Sequence, residues 1–222
     1  MVNVEYIKNK QQQSKSFNIS GIEVTIKNQT RKNVSVRKTV ETLVSVVPAD
    51  LLRNVNTIQV GQFSELQDRQ IQAMYKNSMI FVTNEQSSND DLLDDLIHEV
   101  AHSVEEVELE FIYGDGGIKK EFLQKRKQMW IILKNKGLDI ELGHFLNDEY
   151  VEDFDMFLYK EVGYSLLSSV IANLFYSPYG ATSLREYFAN GFEAFFMKED
   201  IGRLKSISPI LYKKISKLSM RR

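Results

Sequence analysis

The chain has 222 residues, 43% hydrophobic and 26% charged, the balance of a globular protein with apolar material for one good-sized core. It has no cysteine, which excludes disulfides, thiolate metal ligands and cysteine nucleophiles and leaves His, Asp and Glu as donors for any metal. The formal net charge is only -2, with ten acids and no base from Glu85 to Glu110 and seven bases against one acid from Lys119 to Lys136, so no uniform nucleic-acid-binding surface is expected.

Residues 1 to 15 read as a flexible polar tail without the apolar core of a signal peptide, and no stretch approaches the roughly 18 apolar residues that span a bilayer. The expectation is a soluble protein, cytoplasmic or carried in an assembly, with neither membrane nor nucleic acid as partner. FNISGIEVTIKN alternates as a half-buried strand or hairpin does. VRKTVETLVSVV sets Val36, Val40, Leu43, Val44 and Val47 at helical spacing, and Pro48 opens a short helical turn. NTIQVGQF, IQAMY and MIFVTN are strand candidates, the last two joined by a Lys76-Asn77 turn. Residues 16–87 therefore predict a small mixed-sheet lobe behind one helix.

Residues 88–222 predict a mainly helical lobe of the same domain. SSNDDLL offers an N-cap and an acidic first turn, and Leu93, Ile97, Val100 and Val104 repeat as a buried stripe. YGDGG ends that segment, and IKKEFLQKRKQMWIILKNKG is an amphipathic helix closed by Gly137. ELGHFLNDE reads as a loop, Asp155 to Phe175 as one or two helices, SPYGATS as a turn, LREYFANGFEAFFM as an aromatic helix and ISPILYKKISKL as the last helix.

The chemistry lies in LIHEVAHSVEE. On a helix, positions four apart point the same way, so His98 and His102 can reach one zinc ion while Glu99, a third of a turn away, stands beside a metal-bound water. The apolar stripe leaves both histidines on another face. A catalytic zinc usually takes a third protein ligand. His144 is one candidate, in a polar stretch where a histidine is more often solvated. Glu186 is the better one, because a helix presenting Glu186, Asn190 and Glu193 to the histidines would send Leu184, Phe188, Phe192 and Phe195 into the core. Against it stands a capping box, Ser183 to Glu186, in which Glu186 would bond only the helix start.

HEVAH followed by YGATSLREYFANGFEAFF resembles the catalytic domain of anthrax toxin lethal factor and its relatives, among them proline-specific clostridial endopeptidases. The matching positions are Tyr179, Gly180 and Glu186-Tyr187-Phe188-Ala189. The resemblance implies an α+β zincin-like metallopeptidase with Zn2+ on His98, His102 and Glu186, Glu99 as base and Tyr179 as the hydroxyl that supports the transition state. Tyr176, in the same turn, marks the alternative in which a tyrosine there only packs. This chain departs from the family in a longer stretch between the motifs, containing NDEYVEDFD, and in Asn190, where lethal factor has a glutamate, so that the orientation of a histidine is either weaker here or supplied by Glu193 instead. The expected function is zinc-dependent endopeptidase, with a peptide or protein substrate added along an edge strand formed by MIFVTN. The alternative is a metallopeptidase-like subunit, stabilised by zinc and docked into a larger assembly without turnover.

Overall fold

The computed structural model describes residues 15–198 and 200–221. Of the tail expected over residues 1 to 15, only Lys15 falls among them. The alternating segment folds as a hairpin of β1 (Lys15–Ile19) and β2 (Ile22–Ile26), turned through Ser20 and Gly21, both at positive φ. The spaced valines form α1 (Val36–Val46), and the short α2 (Ala49–Leu52) follows Pro48. β3 (Thr57–Gly61), β4 (Ala73–Lys76) and β5 (Met79–Thr83) take up the three strand candidates. Between them α3 (Ser64–Arg69) occupies a stretch to which the sequence assigns no element. The β4–β5 turn is Asn77-Ser78, one residue later than expected, with both residues left-handed as a two-residue hairpin between right-twisted strands requires.

The strands form one mixed sheet in the order β1-β2-β3-β5-β4, with β2, β3 and β5 parallel and β1 and β4 antiparallel at the edges. β5, the MIFVTN strand, is therefore interior, and the expectation that it forms the edge is corrected to β4. The tight hairpin is the reason, since it folds Ala73–Lys76 back along β5 and closes that side. Val24, Ile58, Val60, Ile80 and Val82 are fully buried, as are Val40 and Leu43 of α1.

α4 (Asn89–Tyr113) starts where the sequence expects it: Ser88 Oγ accepts from the Asp91 amide at 3.0 Å, and Asp90 and Asp91 stand in the positively polarised first turn. The helix kinks at Glu108. The chain divides into two compact units after Val104, inside α4, so that the first half of this helix belongs with the sheet and the second with the helices.

The second unit continues through α5 (Gly117–Asn135), α6 (Leu142–Leu146), α7 (Glu152–Met156), a π-helical turn (Phe157–Val162), α8 (Tyr164–Ile171), a 3-10 turn (Tyr179–Ala181), α9 (Leu184–Phe196), α10 (Ile201–Ile207) and α11 (Pro209–Ser219). α6 replaces part of the expected ELGHFLNDE loop. A mixed sheet followed by helices is the α+β, zincin-like succession that the sequence predicts. No helix among the described residues is long and apolar enough to cross a membrane.

α5 carries an unexpected row of charge. Ile118, Phe122, Met129 and Leu133 are fully buried, but so, nearly, are Glu121, Lys125 and Arg126. Each of the three pairs with groups outside α5, most of them main-chain groups at helix ends and in the connections between helices. Glu121 accepts from the Ile210 and Leu211 amides at 2.9 and 3.1 Å and from the Tyr187 hydroxyl at 2.9 Å. Lys125 donates to the Leu174 carbonyl and to Ser208 Oγ, both at 2.7 Å. Arg126 donates to the carbonyls of Ala181, Thr182 and His144 at 2.9, 3.1 and 2.6 Å.

Candidate metal centre

The stripe Leu93, Ile97, Val100 and Val104 is buried, which commits that side of α4 to the core of the first unit and turns positions 98 and 102 elsewhere. The two imidazoles stand one turn apart, with ring centroids 5.1 Å from each other and planes at 79°. His102 is buried and His98 half-buried. Glu99 is only 6% exposed, a burial that Glu105 alone of the other acids of the same helix shares. Asn54 fixes the chain at this level: its Nδ2 donates to the Ser103 carbonyl at 3.4 Å and to the Tyr75 hydroxyl of β4 at 2.6 Å.

Glu186 lies in the first turn of α9. Ser183 Oγ accepts from the Glu186 amide at 3.1 Å, so the serine half of the capping box forms and settles the helix start. The Glu186 carboxylate meanwhile groups with the histidines: one donor atom each from His98, His102 and Glu186 all lie within 4.8 Å of one another. Among the described residues this is the one group of three His or acidic donors so placed, and His144 is not in it. His144 sits exposed in α6 and serves Arg126 with its main-chain carbonyl.

Two imidazoles and a carboxylate make a donor set for a divalent metal that keeps a coordination position open. Donors held at about 2.1 Å in a tetrahedron stand about 3.4 Å apart, so three atoms within 4.8 Å need only a small closure to share one ion. With the HExxH spacing and a distant glutamate, the set fits a gluzincin-type site.

On α9, Phe188 and Phe192 are fully buried as expected, whereas Leu184 and Phe195 are half-buried and Tyr187 and Phe196 join the core. Asn190 packs against the Tyr179–Ala181 turn: a Cβ added to Gly180 would stand 2.9 Å from its Oδ1 and 3.4 Å from its Cβ. A side chain at position 180 would therefore have to push the Asn190 amide aside. The two tyrosines of the turn part company. Tyr176 is engaged structurally, its hydroxyl accepting from the Asp200 amide at 3.2 Å and its ring lying under Arg203. Tyr179 is 45% exposed, so burial in the core does not account for it.

Further groups stand close to these residues in sequence. Glu105, three residues beyond His102, is buried, accepts from the Tyr113 hydroxyl at 2.6 Å and pairs with Arg185 Nε at 3.0 Å. Arg185 immediately precedes Glu186. Burial first, then the Glu105 carboxylate, push the Tyr113 hydroxyl far above its ordinary range and keep it a donor. Helical spacing from His102 points equally to Glu105 and Glu106, so it is burial and the bonds to Tyr113 and Arg185 that distinguish Glu105. No protein-family profile, no curated protein and no solved structure matches the chain.

Proposed function

We propose that the protein is a zinc-dependent endopeptidase, and the grouping of His98, His102 and Glu186 is the observation that carries the reading. Zinc held by these three residues would supply Lewis acidity, making water a nucleophile near neutral pH and polarising the scissile carbonyl. Glu99, buried between the histidines in sequence, takes the proton from the attacking water and delivers it to the leaving amine. The Tyr179 hydroxyl donates to the oxyanion that develops on the substrate carbonyl. Its exposure suits that role, as does the resemblance of the tyrosine turn to the lethal factor group. An extended peptide would pair along β4, the sheet edge that Asn54 ties to the His102 level of α4.

The test is Glu99→Gln, which keeps shape and hydrogen bonding but removes the base. Zinc content and circular dichroism should match the wild type while cleavage of a sequence-diverse peptide library falls about 100- to 10,000-fold. Undiminished cleavage by homogeneous Glu99→Gln protein would end the proposed mechanism. A protein that binds zinc and cleaves nothing in either form would be the zinc-stabilised assembly subunit instead.

A further inference from the structure

The stretch between the two motifs holds a contact whose partners lie far apart in sequence. Arg126 is 1% exposed and its guanidinium lies 3.9 Å from the centre of the Phe154 ring of α7. From there it donates to the His144 carbonyl of α6 and to the Ala181 and Thr182 carbonyls, which end the Tyr179 turn and lead into the Ser183 cap of α9. The Leu184 amide, at the first residue of α9, donates to the Asp148 carbonyl at 2.8 Å. Lys119 of α5 holds the Asp148 side chain at 2.7 Å. Phe145 and Phe154 are buried edge to face, with centroids 5.0 Å apart, and anchor the segment from below.

We propose that residues 142–156 form a brace which, through Arg126 and the Asp148 carbonyl, sets the position of the Tyr179 turn and of Glu186. The inference rests on the endopeptidase reading for the role of Tyr179 and on the metal site alone for Glu186. The turn is held from two sides. Asn190 of α9 closes on Gly180, and Arg126 fixes the carbonyls that follow. One planar guanidinium serves three carbonyls here, which a lysine ammonium on a shorter and more flexible stem cannot reproduce. Arg126 is thus a positioning residue, acting through main-chain groups rather than on substrate.

The experiment compares Arg126→Met, Arg126→Lys and Phe154→Leu with the wild type. Zinc affinity is measured by chelator competition, the visible spectrum is recorded with Co2+ in place of zinc, and kcat and KM are measured on a peptide that the wild type cleaves. Arg126→Met should weaken zinc binding about tenfold and shift the cobalt bands, as losses behind a ligand do. It should lower kcat about 10- to 100-fold with little change in KM, because a displaced Tyr179 fails chiefly in the transition state. Arg126→Lys should recover part of each loss, and Phe154→Leu, a mild core substitution, should move each reading in the same direction. Should Arg126→Met not fold, the other two variants decide. Native zinc affinity, cobalt spectrum and kcat in Arg126→Lys and Phe154→Leu, with circular dichroism unchanged, would overturn the brace. If the wild type cleaves nothing, the endopeptidase reading falls while the zinc and cobalt measurements still decide how Glu186 is positioned.

Discussion

Glu121→Ala removes from α5 a carboxylate on which three donors converge. Pro209 opens α11 and has no amide hydrogen, so the Ile210 and Leu211 amides are the first main-chain donors that need a partner from outside the helix. Glu121 supplies both, a cap delivered from another helix, and also accepts from the Tyr187 hydroxyl. Loss of the cap costs about 1 to 2 kcal/mol, loss of negative charge at a partly buried helix start up to about 2, and a buried tyrosine hydroxyl left without an acceptor about 1 to 3. Relief of the buried carboxylate's own desolvation and the good helix propensity of alanine return some of this. The net expectation is about 3 to 5 kcal/mol, and about half that for Glu121→Gln, which keeps one acceptor oxygen. Urea unfolding at pH 7 on chelator-treated protein measures it free of metal linkage. The double substitution isolates the cause: Tyr187→Phe should cost about 1 kcal/mol or more in the wild type and clearly less once Glu121 is gone, the remainder being the bond between Tyr187 and Ser208. Losses below about 0.5 kcal/mol for Glu121→Ala, or equal costs of Tyr187→Phe in both backgrounds, would refute the shared-acceptor account.

Burial lowers the Lys125 ammonium from its ordinary 10.5 to about 8, so between these values the unfolded chain holds a proton that the folded chain has released, and stability must rise with pH. The gain approaches about 3 kcal/mol by pH 10.5 and is lost as pH falls through 8; Lys125→Met should remove this part of the slope, seen as the difference between the two stability profiles. His98→Ala, His102→Ala and Glu186→Ala should each lose most of the bound zinc while His144→Ala keeps it, and metal analysis after gel filtration checks this; retention by Glu186→Ala with loss by His144→Ala would reassign the third ligand. Zinc-loaded protein should melt above the chelated form, by about 2.7 kcal/mol of stability at free zinc a hundred times Kd, and an unchanged melting temperature would argue against the site.

The metal donors were legible because they depend on one helical repeat each. His98 and His102 are four apart, and Glu186 sits on the polar side of a helix whose other positions are aromatic. The start of α4 and the existence of β1 to β5 were legible for the same local reasons, capping and alternation, with strand ends displaced by a residue or two. Sheet order was not, because it depends on pairing between distant segments: the short turn after IQAMY implies that it folds back on MIFVTN, but nothing local says that β3 takes the other side of MIFVTN and makes it interior. Arg126 and Asp148 were illegible for a different reason. Both act on or through main-chain carbonyls, which every residue has, so the partner leaves no mark in the sequence. The charges of α5 did leave one, since Lys125 falls on the apolar repeat of Ile118, Phe122, Met129 and Leu133 and Glu121 and Arg126 lie beside it, an arrangement that a helix with a solvated basic face would avoid.

Those buried charges bear on how the helical unit carries its site. An ion sunk in a core is usually no better for stability than an apolar side chain of the same size. Here, however, the alternative is not an apolar core. The segments around Leu174, Ala181 and Ser208 link helices through short loops and a single 3-10 turn, and the Leu174 and Ala181 carbonyls and the Ser208 hydroxyl that face α5 must find partners or forfeit about 1 to 3 kcal/mol each. Lys125 and Arg126 give those groups partners, and Glu121 the first amides of α11, from one rigid helix, so the ends of α8, α9 and α11 are referred to a common frame. Glu121 also reaches Tyr187, the residue after Glu186, and Arg126 reaches the turn that begins at Tyr179. One exposed tyrosine and one candidate metal-ligating carboxylate, seven residues apart on backbone of different kinds, are thereby referred to positions 121 and 126 of one helix that carries neither. A chain with the same histidines, glutamates and tyrosine but apolar residues at 121, 125 and 126 would keep every element of the motif and lose the means of holding two of them in register.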